Sequence, residues 1–277
     1  MPTEPDAAAR RTREERWRKE AQFFDEWAGR AAQDVRPIDP LTVARYRSPR
    51  RRFNKEFRFR VLRSLEGKQV LDVGCGDGTN AVLLASLGAN VTGIDVSPKA
   101  IELAARRAEL SGVADRTRFL CSPLETADLA PRSFDLIWGD AILHHLLAEL
   151  DQVLPKLAGW AKPGGILLFS EPVNFNRTLR RIRFLVPVTT EATPDERPLE
   201  PGEIRLLEKY IADLRVARFT MLGRLDRFVL ANYNYERSAW PRRAISNILA
   251  VIDYAALRLP GLASLAGTAV LYGRPRA

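Results

Sequence analysis

The sequence predicts an α/β fold on a mostly parallel sheet of seven strands, and three observations carry that prediction. From Lys68 onward, short apolar strands alternate with segments of helical periodicity. The first strand, Gln69–Val73, runs into a glycine-rich turn, Gly74-Cys75-Gly76-Asp77-Gly78, that opens a helix. The second strand, Asn90–Asp95, ends on a carboxylate about 20 residues beyond that turn. Alternation of this kind implies parallel pairing through right-handed crossovers.

The elements follow in order. Residues Arg10–Arg30 read as a helix, with Trp17, Phe23, Phe24 and Trp27 as its apolar stripe, and Pro37 and Pro40 break it. A second basic helix is expected over Arg50–Leu65, anchored by Phe53, Phe57 and Phe59. After the glycine turn, Thr79–Leu87 is helical and Gly88 ends it. Ser97 caps a helix running to Leu110, with Pro98 in its first turn. Strands are expected at Arg116–Cys121, Phe134–Trp138 and Gly164–Ser170, with a helix over Leu146–Trp160. Further on come a helix at Glu203–Ile211, a strand at Leu214–Met221, an amphipathic helix at Pro241–Leu259 and a last strand at Gly267–Tyr272. This divides the chain into an N-terminal helical cap, 1–64, and a main domain, 65–277. Within the latter, 65–171 is the core, 174–201 an arginine-rich lid segment and 223–266 an insertion between the final strands.

Length and composition narrow the classes. With 277 residues, 46% apolar and 28% charged, the chain is neither disordered nor a membrane bundle. The longest greasy run, Ala244–Leu259, is interrupted by Asn247, Asp253 and Arg258, which makes it too polar to span a bilayer. The first 20 residues are dense in Arg and Glu without an apolar stretch, so no secretory signal is expected. Only two cysteines, Cys75 and Cys121, argue for a reducing, cytoplasmic home. Net charge is +9, arranged as an acidic middle of −5 over Ser64–Val173 between basic flanks of +7 each. Such flanks suit an anionic substrate, nucleic acid or an anionic membrane, or are simply solvated arginines.

The glycine turn identifies a ligand site. Glycines allow a sharp bend and close approach of a ligand, and the helix amides beyond favour a polar group. A carboxylate closing the next strand accepts the hydroxyls of a ribose. The turn lacks a Gly-Lys-Ser/Thr phosphate cradle, and Asp72 and Asp77 crowd it. Acidic residues there suit an ammonium group better than a pyrophosphate.

These residues resemble a family. Val70-Leu71-Asp72-Val73-Gly74-Cys75-Gly76-Asp77-Gly78 looks like the first motif of the class I S-adenosylmethionine-dependent methyltransferases. Gly93-Ile94-Asp95-Val96-Ser97 resembles the second. Phe134-Asp135-Leu136-Ile137-Trp138, Leu143-His144-His145-Leu146 and Lys162-Pro163-Gly164-Gly165-Ile166-Leu167-Leu168 are similar to later ones, in order and at matching spacing. The resemblance covers Leu65–Glu171 and implies a seven-stranded, doubly wound, Rossmann-like methyltransferase sandwich. It implies S-adenosyl-L-methionine as cofactor and S-adenosyl-L-homocysteine as product. By the same resemblance, Asp72 with the backbone of Gly74 and Gly76 holds the methionyl end, Asp95 the ribose hydroxyls, Val96 the adenine face and Leu124 the adenine edge. Relatives place an acidic residue near Pro123 for the adenine amino group; here Glu125 is the nearest substitute. Asp140 is placed in the methionine channel.

Chemistry beyond the cofactor centres on the only two histidines, His144 and His145, which follow the fourth strand at the ligand-binding edge of the sheet. Either serves as a general base near neutral pH, with His145 slightly favoured; the alternatives are substrate binding and packing. Glu171, ending the fifth strand, orients a histidine or binds substrate. No metal site is expected, because the two histidines lack a third nearby ligand in sequence. The expected function is methyl transfer to an O, N or C nucleophile of a small organic molecule, of natural-product, quinone, sugar or lipid-like type, anionic or lipophilic. RNA or protein methylation and a catalytically inactive cofactor-binding regulator are the alternatives. The Asn/Asp-Pro-Pro-aromatic motif of base-methylating relatives is absent after strand four, where Gly139-Asp140-Ala141-Ile142 stands, so nucleic acid is disfavoured. Helix Pro241–Leu259 carries Ile245, Ile248, Leu249, Ile252 and Leu257 on one side, for packing on the domain, dimerisation or peripheral membrane contact. A monomer and a homodimer are both compatible with the sequence.

Overall fold

The computed structural model describes residues 4–176, 178, 197–231 and 235–276, with side chains from residue 14 onward except residue 34. The chain groups into two compact units, Met1–Ile38 with Glu66–Ala130, and Asp39–Leu65 with Pro131–Ala277. Residues 1–64, expected as one helical cap, are thus shared between the units.

The first unit holds three parallel strands. Strand β1 (Gln69–Val73), buried over its last four residues, pairs with β2 (Asn90–Asp95), and β2 pairs with β3 (Thr117–Cys121). Parallel neighbours need crossovers, supplied by α4 (Thr79–Ser86) and α5 (Pro98–Leu110). Helix α5 starts as the sequence dictates: the Ser97 hydroxyl accepts the Ala100 amide at 3.0 Å, and Pro98 occupies the first turn. Its buried stripe is small, Ala100, Leu103, Ala104 and Ala108, so another helix approaches closely. That helix is α1 (Glu4–Ala31), which starts before the expected Arg10 and packs Trp27, Ala28 and Ala31 against Ala100 and Leu103. Asp25 of α1 accepts the Ser97 hydroxyl at 2.6 Å and the Lys99 amide at 3.1 Å, a second cap on α5 supplied from afar.

The second unit opens with a helix that the sequence reading missed. Pro40 is not a breaker there but the first residue of α2 (Pro40–Arg47), whose Leu41 amide donates to the Asp39 carboxylate at 2.9 Å. The second basic helix is shorter than expected, α3 (Asn54–Leu62). Strand β4 (Phe134–Asp140) runs to Asp140, and β5 (Ala161–Pro172) is longer at both ends than the motif indicated. The helix expected from Leu146 starts later, as α6 (Leu150–Trp160), because Leu143–His145 forms a 3-10 turn. Beyond it come α7 (Pro201–Tyr210), β6 (Ile211–Phe219), the short α8 (Asp226–Val229), α9 (Trp240–Ala256) and β7 (Thr268–Pro275). Strands β4 and β5 are parallel, whereas β7 runs antiparallel to both β5 and β6. The full strand order is β3-β2-β1-β4-β5-β7-β6, a mixed, seven-stranded sheet. Trp138, Ile137, Leu167, Leu168 and Phe169 form the fully buried centre of this unit.

Helices α8 and α9 fill the expected insertion between the last two strands. Most of the arginine-rich lid segment, with Arg177, Arg180, Arg181 and Arg183, lies outside the described residues. Among the described residues, no helix is long and apolar enough to cross a membrane.

Candidate active site

In the first unit, the turn after β1 is built on left-handed glycines: φ is +66° at Gly74, +51° at Gly76 and +76° at Gly78. At Gly78 the constraint is also steric, since a Cβ would lie 2.7 Å from the Ala104 Cβ. At Gly76 it is conformational alone, and a Cβ would meet nothing within 4 Å, so the loop is open above that residue. The Gly74 and Cys75 amides donate to the Ile94 carbonyl at 2.9 and 3.1 Å, which ties the turn to β2.

Asp95, at the end of β2, is fixed by two backbone amides. The Gly76 amide donates to its Oδ2 at 2.8 Å and the Ser97 amide to its Oδ1 at 3.0 Å. These two bonds fix the orientation of the Asp95 carboxylate beside the glycine turn. Asp72 is buried at 1% exposure in the strand leading to the turn. Asp77 is engaged differently from the sequence expectation. Arg107 Nη2 lies 2.7 Å from its carboxylate, Arg107 Nε donates to its carbonyl at 3.0 Å, and the Thr79 amide donates to its side chain at 3.0 Å. Asp77 therefore stiffens the turn, and its negative charge is already met by a guanidinium.

Leu124 is buried, and Val96 accepts from the Cys121 thiol at 3.7 Å through its carbonyl. Glu125 is engaged by α1: Arg16 is ion-paired to it and Trp17 Nε1 donates to it at 3.0 Å. Burial, with Asp72 and Asp95 adding to it, holds the Cys75 thiol well above its usual range, which makes it a packing residue rather than a nucleophile.

In the second unit, the segment after β4 wraps around one carboxylate. Glu171, 1% exposed on β5, accepts the amides of Ile142 at 3.0 Å and Leu143 at 2.9 Å on Oε1. Its Oε2 takes the His144 amide at 3.4 Å and lies 2.9 Å from His144 Nδ1. An ionised carboxylate can only accept, so Nδ1 is the nitrogen that donates to it, and in the neutral tautomer this leaves the lone pair on Nε2. The histidine that meets Glu171 is thus His144, whereas the sequence slightly favoured His145. Nothing in the sequence ranks two adjacent histidines, but the 3-10 turn points the first of them at Glu171. The His145 ring packs beside it, with centroids 4.2 Å apart.

Asp140 has a partner that the sequence reading did not identify. Arg58 Nη1, from α3, lies 3.0 Å from Asp140 Oδ2, and its guanidinium stacks 4.7 Å from the centre of the buried Trp138 ring. Arg58 is itself 4% exposed. The available signal was a set of charges embedded in an aromatic helix: Glu56 and Arg58 stand between Phe53, Phe57 and Phe59. Glu56, fully buried, accepts the Arg50 and Arg51 amides and pairs with Arg45 at 2.7 Å, and Arg45 reaches Glu236 at 2.8 Å.

Arg45 and Arg58 line a cavity of about 360 Å³, together with Tyr46, Asn54, Ser170, Tyr235 and Thr268 among others. That volume suits a small organic molecule. Asn54 holds Ser170 and Thr268 at 3.2 Å each. Burial raises the Tyr46 phenol, opposed in part by Arg45, so this lining residue stays a neutral hydrogen-bond donor at neutral pH.

Comparison with known proteins gives a consistent result. A family described as a methyltransferase domain matches residues 70–165. The ubiquinone biosynthesis O-methyltransferase of Methylocella silvestris is 36% identical over 124 residues, 45% of this chain and 46% of that protein. The protein of the same name from Vibrio cholerae serotype O1 is 32% identical over 185 residues, 61% of this chain and 73% of that protein. The match thus spans about half the length of the first relative and nearly three quarters of the second. Among solved structures, a sarcosine dimethylglycine methyltransferase from Galdieria sulphuraria superimposes with a TM-score of 0.54 at 16% identity, over 78% of this chain and 82% of that one. This last likeness bears on the fold alone.

Proposed function

Because the chain belongs to the class I S-adenosylmethionine-dependent methyltransferases, we propose that it transfers a methyl group from S-adenosylmethionine to a hydroxyl oxygen of a small organic molecule. The observation that carries the choice of oxygen is the 2.9 Å contact of His144 Nδ1 with Glu171, which turns Nε2 into the free nitrogen of the ring. A hydroxyl has a proton to lose, and an imidazole with a free Nε2 accepts it. The relatives named for O-methylation support the same class of acceptor.

The donor residues fit that cofactor. The open space over Gly76 and the Asp95 carboxylate fixed beside it fit an adenosyl group whose ribose donates hydroxyls. When bound, S-adenosylmethionine supplies a methyl already activated by a sulfonium, so positioning provides most of the rate. Asp95 holds the ribose hydroxyls and Val96 the adenine face, with Leu124 at the adenine edge. Asp72 and the loop at Gly74 and Gly76 hold the methionyl end, and Asp140, fixed by Arg58, borders its channel. His144 Nε2 takes the acceptor proton, and Glu171 stabilises the imidazolium that results. The acceptor occupies the cavity lined by Tyr46, Asn54 and Ser170, with Tyr46 as a hydrogen-bond donor to it. We place the protein in the cytoplasm, a reading supported by two unpaired cysteines.

The test is incubation with methyl-labelled S-adenosylmethionine and a panel of catechols, hydroquinones, amines, RNA and protein. The proposal expects label in a hydroxylated small molecule, with His144→Gln and Glu171→Gln both slow. Label entering only amines, RNA or protein contradicts it.

A further inference from the structure

Helix α9 faces the opposite way from its amphipathic pattern. Its buried positions are Ser246, Ala250 and Asp253, with Leu257 just beyond its end. Its isoleucines point outward: Ile245, Ile248 and Ile252 are 48%, 59% and 43% exposed, and Leu259 beyond the helix is 55% exposed. The spacing of the three isoleucines, three and four residues, places them along one side of the helix. Two aromatic side chains of the same insertion are also exposed, Trp240 at 73% and Phe228 at 70%.

The inward face explains why the helix sits this way. Asp253, 3% exposed, accepts the amides of Met221 at 2.9 Å, Leu222 at 2.7 Å and Gly223 at 2.9 Å. Those bonds satisfy the chain where it leaves β6, and they pin the polar face inward. Asn247 donates to the Tyr235 hydroxyl at 2.9 Å from the same side. Ile245, Ile248 and Ile252 are left outside, whereas Leu249 is half-buried and Leu257 buried.

What covers it is indicated by charge. Residues 223–266 carry six arginines and three carboxylates. Of the carboxylates, Asp253 is buried and Glu236 is paired with Arg45. Arg242 and Arg243 stand at the start of α9, Arg258 lies just past its end stacked on Tyr254, and Arg227 is stacked on Phe228. An exposed aliphatic stripe on a helix whose surrounding segment carries an excess of arginine has the features of a helix that lies in the headgroup region of a bilayer. A second copy of the chain would bring two arginine-rich segments together, which like-charge repulsion opposes.

We propose that the outward face of α9 docks this protein on the surface of an anionic lipid bilayer. Ile248 and Ile252 enter the acyl boundary, Trp240 lies at the interface, and Arg242 and Arg243 meet lipid phosphates. The inference stands independently of the methyl-transfer reading, because lipid binding is measured without turnover.

The experiment is density-gradient flotation of the full chain with vesicles of phosphatidylcholine mixed with phosphatidylglycerol, and of phosphatidylcholine alone. The wild type is expected to float with the mixed vesicles, to float poorly with the neutral ones, and to be released by high salt. The double variant Ile248→Glu, Ile252→Glu should stay at the bottom of the gradient with an unchanged circular dichroism spectrum. Arg242→Glu with Arg243→Glu, a change that leaves the apolar stripe intact, should weaken binding by roughly tenfold or more, which keeps the test open should the first variant fold badly. Mixed vesicles should also shift wild-type tryptophan emission to the blue, and Trp240→Phe should abolish the shift. Absence of flotation with mixed vesicles overturns the proposal. So does a light-scattering dimer that the Ile248→Glu, Ile252→Glu pair splits while lipid has no effect.

Discussion

Glu171 Oε2 lies 2.9 Å from His144 Nδ1 and, through both of its oxygens, the same carboxylate accepts three successive amides of the turn that carries that histidine. One buried group therefore sets the backbone, the tautomer and the ring orientation together. A histidine presented in this way has a defined lone pair on Nε2 and an anion ready to stabilise its protonated form.

The first prediction concerns that pair. His144→Gln should lower kcat by roughly 10²- to 10⁴-fold, the usual contribution of a general base, with a much smaller effect on S-adenosylmethionine binding. Glu171→Gln should also lower kcat, because the ring loses the carboxylate that orients it. His145→Gln should retain most of the activity. Steady-state kinetics over a pH series distinguish the three variants.

Asp253 is predicted to be a stability residue. Asp253→Ala leaves three amides without an acceptor and should destabilise the protein by about 3 kcal/mol or more. Asp253→Asn keeps one acceptor oxygen and should cost less. Urea unfolding midpoints measure both.

Thiol labelling should separate the two cysteines. Cys121 is exposed, and Cys75 is buried with a thiol held well above its ordinary range. A thiol reagent at neutral pH should modify one group per native chain, and two after denaturation. Cys121→Ser should remove the native reaction entirely.

A pH effect on stability follows from Glu203. Burial opposes its charge, but the Arg197 guanidinium at 2.8 Å and the Glu200 amide at 2.8 Å outweigh burial and hold its carboxyl below the ordinary value. A lowered folded pKa contributes stability above the unfolded pKa and loses it as pH falls through the folded one. The stability gap between wild type and Glu203→Gln should be present at neutral pH and close in acid, as read from unfolding midpoints across that range.

Local signals were legible in the sequence. The turn Gly74 to Gly78, Asp95 and the Ser97 cap each act over a few residues or at a strand end, so composition and spacing suffice to place them. Pro40 was misread because the residue both interrupts a helix and begins one, and only the Asp39 cap decides between the two. Histidine choice needed a partner 27 residues away. Arg45 with Glu236, 191 residues apart, and Arg58 with Asp140 required tertiary contact that periodicity does not encode. Helix α9 shows the limit most clearly. Its apolar stripe was visible, but amphipathicity states only that two faces differ. Three amides at the end of β6 determine that the face carrying Asp253 turns inward.

The central claim is that the turn after β1, braced by Asp95, grips an adenosyl amino acid. Isothermal titration of S-adenosylmethionine and S-adenosylhomocysteine into the folded protein tests it most directly. The account predicts binding heat at one site per chain for both, weakened by about 1–3 kcal/mol in Asp95→Ala. Folded wild-type protein that releases no heat with either ligand would contradict it.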